Sequence, residues 1–249
     1  MGRRDRYTPG TFCWADLGVT DLNGAKAFYG GLFGWEAEDQ TGPSGDPYTF
    51  FRKDGALVAG LRDGTPVWLS YVSVEDLDET LARAREAGAS VEAEHDVPPA
   101  GRLAVVSDPQ GAVFGLWEPG DFAGAGVVND PGTMVWQQLS TSDVEAARDW
   151  YSALFGWTWE DLEGSLDYAY ARNRDGWLNA GLMRLPVPGV TPTWEVSFTV
   201  RDASATCEKV EGLGGSTLIP RIETPVGGKA VVADPQGAPI GLFDGEIEP

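Results

Sequence analysis

Residues 25–35 read AKAFYGGLFGW, and residues 147–157, 122 positions later, read ARDWYSALFGW. In the first, Ala25, Phe28, Tyr29 and Leu32 fall at i, i+3, i+4 and i+7, as do Ala147, Trp150, Tyr151 and Leu154 in the second. That spacing predicts one apolar stripe along a helix. Asp21 and Asp143 stand where each helix needs an N-cap acceptor. The stretches just before are paired too: WADLGVTD at 14–21 and WQQLSTSD at 136–143 alternate like strands. Further on, SDPQGAVFGL at 107–116 recurs as ADPQGAPIGL at 233–242. Two copies in the same order indicate a tandem duplication. The chain then divides into residues 1–118, a Gly- and Pro-rich linker PGDFAGAGVVNDPG at 119–132, and residues 133–249.

Within each half the pattern restarts. WLSYVSVED at 68–76 precedes LDETLARAREAG, and WEVSFTVRD at 194–202 precedes ASATCEKVEGLG. Turn signals such as KDG at 53–55 and RDG at 174–176 break the stretches between into short strands. The reading is an α+β chain of four strand-helix-strand-strand-strand units, two per half.

Bulk properties narrow the partners. A net charge of −20 argues against nucleic acid, whose phosphates need a basic face, and is compatible with a cationic or amino-sugar-bearing ligand. Cys13 and Cys207 are too few and too far apart for a disulfide framework. They read as buried small hydrophobes in a reducing compartment, so a cytoplasmic protein is expected. No apolar stretch approaches the roughly 20 residues of a membrane span, so no membrane partner is expected.

Four such units, with a V-x-D strand end, a helix ending in FY-x-x-LFGW or its WY variant, and a DPQG turn before the last strand, resemble the vicinal oxygen chelate superfamily. That superfamily holds glyoxalases, extradiol dioxygenases and bleomycin-resistance proteins. The similarity extends over nearly the whole chain and is nearest to tandem actinobacterial members labelled hydroxylase-like or glyoxalase-like. It implies four βαβββ units forming two tandem domains whose sheets curl into cups. Units of the superfamily pair within a half or across halves, and both pairings stay open, as do monomer and homodimer.

The resemblance also implies where a metal would sit: on the first, fourth, fifth and eighth strands of each pair. Those slots hold Trp14, Gly60, Leu69 and Gly115 in the first half, and Trp136, Gly181, Glu195 and Gly241 in the second. A divalent ion needs several O or N donors, and glycine and leucine side chains offer none. No metal is expected, and no flavin, haem or iron motif calls for another cofactor. His95, the one histidine, reads as a loop residue between strands.

Strand alternation assigns the rest of each cup. Phe12, Trp14 and Asp16 share a face in the first half, with Leu69, Tyr71, Ser73 and Trp117. Met134, Trp136 and Gln138 share one in the second, with Glu195, Ser197, Thr199 and Phe243. Glycines at the vacated slots are expected to open volume for a bulky planar guest against the tryptophans. Asp16 and Glu195 are the candidate acid-base groups, with the first cup preferred. The functions this permits are metal-independent tailoring of a hydrophobic or aromatic secondary metabolite by cyclisation, rearrangement or hydration, or binding of a drug without turnover. A metal-dependent glyoxalase or dioxygenase with atypical ligands is the third.

Overall fold

The computed structural model describes residues 2–42, 45–163, 168–185, 187 and 189–245. Each helix begins on the aspartate that the sequence offers: Asp21, Asp76, Asp143 and Asp202 each accept a backbone N–H three residues on. This satisfies a donor with no partner inside the helix. The glycine of each LFGW ends its helix in the left-handed conformation, Gly34 and Gly156 both at φ 73°, which a side chain would disfavour.

The first half runs β1 (Phe12–Val19), α1 (Leu22–Phe33), β2 (Glu36–Thr41), β3 (Pro47–Lys53), β4 (Ala56–Asp63), β5 (Val67–Ser73), α2 (Leu77–Glu86), β6 (Ser90–Val97), β7 (Gly101–Ser107) and β8 (Val113–Pro119). The second repeats it as β9 (Met134–Thr141), α3 (Val144–Phe155), β10 (Thr158–Asp161), β11 (Tyr168–Arg172), β12 (Leu178–Arg184), β13 (Thr193–Thr199), α4 (Ala203–Gly212), β14 (Ser216–Thr224), β15 (Gly227–Ala233) and β16 (Pro239–Phe243). The four βαβββ units are therefore present as the repeat predicts. Each half forms one eight-stranded sheet, β2-β3-β4-β1-β5-β8-β7-β6 and β10-β11-β12-β9-β13-β16-β15-β14. Pairing thus occurs within a half, and each cup is built from one half alone.

The cores, by contrast, are shared. Ala15, Leu17 and Val19 of β1 and the stripe of α1 pack with Phe198, Cys207 and Val210 of the second half. The stripe of α3 packs with Phe114 and Leu116 of the first. The recurring motifs make this exchange reciprocal. Asp108 accepts from the backbone of Gln110 and Ala112 in its own turn and from the Tyr151 hydroxyl at 2.9 Å across the seam. Asp234 does the same with Gln236, Ala238 and Tyr29. Gln110 accepts from Asp143 N and donates to Asp143 O, both at 2.8 Å, and Gln236 makes the equivalent pair with Asp21. DPQG and the helix tyrosine are thus two sides of one latch, made twice.

The linker is packed structure. Ala125 is 1% exposed and its N–H donates to Cys13 O, while Gly126 exchanges backbone hydrogen bonds with Leu57 and Arg4. No described helix is long and apolar enough to cross a membrane.

Candidate functional site

In the first cup, β1 and β5 place Trp14 opposite Tyr71 and Asp16 opposite Leu69, with Gly60 beside Asp16 on β4 and Gly115 beside Tyr71 on β8. The expected set therefore converges, with one correction. The β1–β5 register shifts between Phe12 and Trp14, and the bulge turns Phe12 out of the cup onto Trp157 and Trp194 of the other half. Met134 is displaced by the equivalent shift in β9 and joins the shared core. A bulge inserts a residue and so reverses the parity on which the alternation rested. His95 is also corrected: it lies within β6, paired with Leu103, exposed at the rim.

The vacated slots of the first cup are refilled. A Cβ on Gly60 would lie 2.0 Å from the Tyr48 hydroxyl, and one on Gly115 would lie 2.1 Å from the Tyr71 ring. The glycines make room for tyrosines of the protein itself, and the expected open volume is absent at these two places. Trp14 donates to the Tyr48 hydroxyl at 3.0 Å. Asp16, 4% exposed, is bound on both oxygens, by Arg62 Nε at 3.0 Å and the Tyr71 hydroxyl at 2.9 Å. Burial pushes its carboxyl above the ordinary range, against the opposing pull of Arg62 and the Tyr71 hydroxyl. Phe122 from the linker closes the mouth, edge-on to Trp14 at 4.9 Å and to Trp117 at 5.7 Å, while Trp117 Nε1 donates to Phe122 O at 2.8 Å.

The second cup keeps the frame and changes the contents. Trp136, Gln138, Glu195, Ser197, Thr199, Gly181, Gly241 and Phe243 fall in register on one face. The Tyr168 hydroxyl, Gln138 Oε1 and Trp136 Nε1 converge within 2.9 Å of the position a Gly181 Cβ would take. The Tyr168 hydroxyl donates to Gln138 Oε1 at 2.7 Å, and burial raises the pKa of that phenol. Ser197 Oγ and Glu195 Oε1 meet in the same way above Gly241. Glu195 and Lys229, 19% and 23% exposed, form an ion pair at 2.9 Å without hydrogen-bond geometry. Ser197 Oγ, Thr199 Oγ1 and Glu195 Oε1 are buried with no hydrogen-bond partner among the described residues. Tyr170 stands edge-on to Trp136 at 6.0 Å. At the far wall, Ile219 and Ile222 of β14 pair with Val231 and Lys229 and stay 47% and 52% exposed.

Sequence reasoning missed Tyr48, Arg62 and Phe122 in the first cup and Tyr168, Tyr170 and Lys229 in the second. Tyr168 and Tyr170 carried a usable signal, aromatics two apart in a short strand. Phe122 carried none, because a linker has no periodicity.

The donor set does not fit a divalent metal. The slots supply one carboxylate, Glu195, which Lys229 already neutralises. Among the described residues no three His, Cys, Asp or Glu side chains are placed to share an ion.

Comparison with known proteins agrees with this architecture. Residues 123–242 match the family model of the glyoxalase/bleomycin resistance protein/dioxygenase superfamily, and residues 14–117 match a glyoxalase-like domain. CFP32 of Mycobacterium tuberculosis, which bears a provisional glyoxylase name, is 36% identical over 96% of both chains. The anthracycline biosynthesis protein DnrV of Streptomyces peucetius is 36% identical over 96% of this chain and 94% of its own. Among solved structures, the Mn(II)-bound glyoxalase of Novosphingobium aromaticivorans superposes with a TM-score of 0.66 at 16% identity, covering 100% of this chain and 85% of that one. The 2,3-dioxygenase LapB of Pseudomonas sp. KL28 does so at 0.66 and 14%, covering 96% and 93%. At such identities the likeness concerns the fold.

Proposed function

Because this chain belongs to the glyoxalase/bleomycin resistance/dioxygenase superfamily as a tandem pair of its domains, we propose that its second cup binds a bulky aromatic secondary metabolite without a metal. The observation that carries this is the difference in hydrogen-bond satisfaction. Asp16 of the first cup is paired on both oxygens behind Phe122, whereas in the second the buried hydroxyls of Ser197 and Thr199 have no hydrogen-bond partner among the described residues. Buried polar groups without partners are costly, and a ligand oxygen or hydroxyl offsets that cost. Trp136 and Tyr170 supply ring faces, and Ile219 and Ile222 an apolar wall. The kinship with anthracycline biosynthesis proteins supports a planar polyketide as the ligand class.

In the tailoring reading Glu195 is the acid-base group. Its carboxylate takes a proton from an acidic position of the ligand and returns it elsewhere, so that the ligand rearranges or closes a ring with no external oxidant. The existing ion pair with Lys229 favours the second reading, sequestration without turnover, because Glu195 must give up that contact before its carboxylate can reach a proton of the ligand.

The test is titration of the full chain with an anthracycline-type polyketide, followed by thermal shift and by mass analysis of the recovered compound. Trp136→Ala should weaken binding at least about tenfold, the scale of a lost stacking surface. Glu195→Gln should keep binding and, if the protein is an enzyme, lose conversion. Unchanged binding in Trp136→Ala would remove the second cup as the site. Near-stoichiometric Mn, Fe, Ni or Zn in protein purified without chelator would overturn the metal-free reading.

A further inference from the structure

Outside both cups a cavity of about 90 Å³ lies where the N-terminal segment crosses the starts of β9 and β12. Both halves line it, with Arg4, Tyr7 and Phe12 from one and Gln137 and Asn179 from the other. Gln137 is 1% exposed and its Oε1 accepts the Ser70 hydroxyl at 2.6 Å, yet its Nε2 has no partner. The Tyr7 and Asn179 side chains on the same wall are committed elsewhere. The Tyr7 hydroxyl donates to Ala125 O, and Asn179 holds Phe12 N and Gly10 O with its two amide atoms.

Charge points the same way as the unpaired donor. The chain carries 38 acidic residues against 18 basic ones, but no aspartate or glutamate lines this cavity, and Arg4 does. Among the described residues no carboxylate pairs with Arg4, whose Nη1 donates to Arg3 O at 3.3 Å. Apart from the threonine, asparagines and tyrosine, the remaining wall is apolar, including Phe12, Val128, Met134 and Leu178. A cation and a side chain with an unused amide donor, lining one cavity together with apolar side chains, suit a group with two oxygens, one negative charge and a short hydrocarbon tail.

We propose that this cavity is a binding site for a small monocarboxylate. A cavity of about 150 Å³ takes benzene, so this one takes about three to five non-hydrogen atoms. The carboxylate accepts from Arg4 and from Gln137 Nε2, and the tail meets the apolar wall. Trp136 lines the cavity as well as the second cup, so a ligand here contacts the same tryptophan from the seam. The proposal stands whether or not the second cup binds a polyketide.

The probe is sodium acetate, titrated calorimetrically into the full chain, with acetamide as the neutral isostere and sodium chloride at matched ionic strength. Saturable acetate binding with a Kd on the order of 1 mM is expected, the scale four non-hydrogen atoms reach. Acetamide and chloride should not saturate. Arg4→Gln should weaken acetate about tenfold, as loss of a charge-assisted hydrogen bond does. Gln137→Leu should abolish saturation. Acetate that binds no better than acetamide, or that binds both variants as it binds the parent, overturns the proposal.

Discussion

The two cups share a frame and differ in what fills it. Trp14 and Trp136 occupy the same slot, Gly60 and Gly181 the same turn of the wall, Gly115 and Gly241 the same floor. In the first cup Tyr48 and Tyr71 refill the floor, Asp16 joins the Tyr71 hydroxyl to Arg62, and Phe122 closes the mouth. In the second, Ser197 stands where Tyr71 does and Lys229 where Leu103 does, leaving polar groups half-met. Cups of one frame can thus be filled from within, as the first is, or keep buried polar groups without hydrogen-bond partners among the described residues, as the second does.

Substitutions in the first cup should separate these roles, and Asp16→Ala has the largest expected effect. Breaking a buried ion pair costs about 3–5 kcal/mol, and Arg62, 35% exposed, can rehydrate in part. A loss of about 3 kcal/mol in denaturant unfolding is expected, with polyketide binding by the folded protein retained. Preserved stability with lost binding would move the functional site to the first cup. Phe122→Ala comes next. The ring is half-buried, so about 2 kcal/mol is expected, less than the ~3–5 of a fully buried Phe. Acrylamide quenching of tryptophan should rise as Trp14 and Trp117 open to solvent, and unaltered quenching would show that Phe122 does not seal the cup. The smallest effect tests where the halves should agree. Gln110→Ala and Gln236→Ala remove equivalent latches, each worth about 1 kcal/mol, and their unfolding midpoints should fall together. A loss confined to one of them would mean that the seam is as unequal as the cups.

The frame was legible because its signals are local. A helical stripe and an aspartate cap are read within a few residues, and the duplication repeats each reading. The faces of Trp14, Asp16, Glu195 and Ser197 followed from period-two alternation. Phe12 did not, because the bulge that turns it away leaves no mark in residue type. The partners of Asp16 were not legible either. A carboxylate on a cup face looks the same in sequence whether an arginine from β4 claims it or not.

The sequence by itself determined the four units, their order, the capped helices and the face on which most cup residues stand. Each depends on a residue and its near neighbours along the chain. Tertiary structure alone decided that units pair within a half, that DPQG and the helix tyrosines latch across the seam, and that Phe122 closes one cup. It also decided which polar groups are left unpaired. Those outcomes turn on contacts between residues far apart in the chain, and burial charges a polar group for a missing partner only once the fold has fixed who its neighbours are.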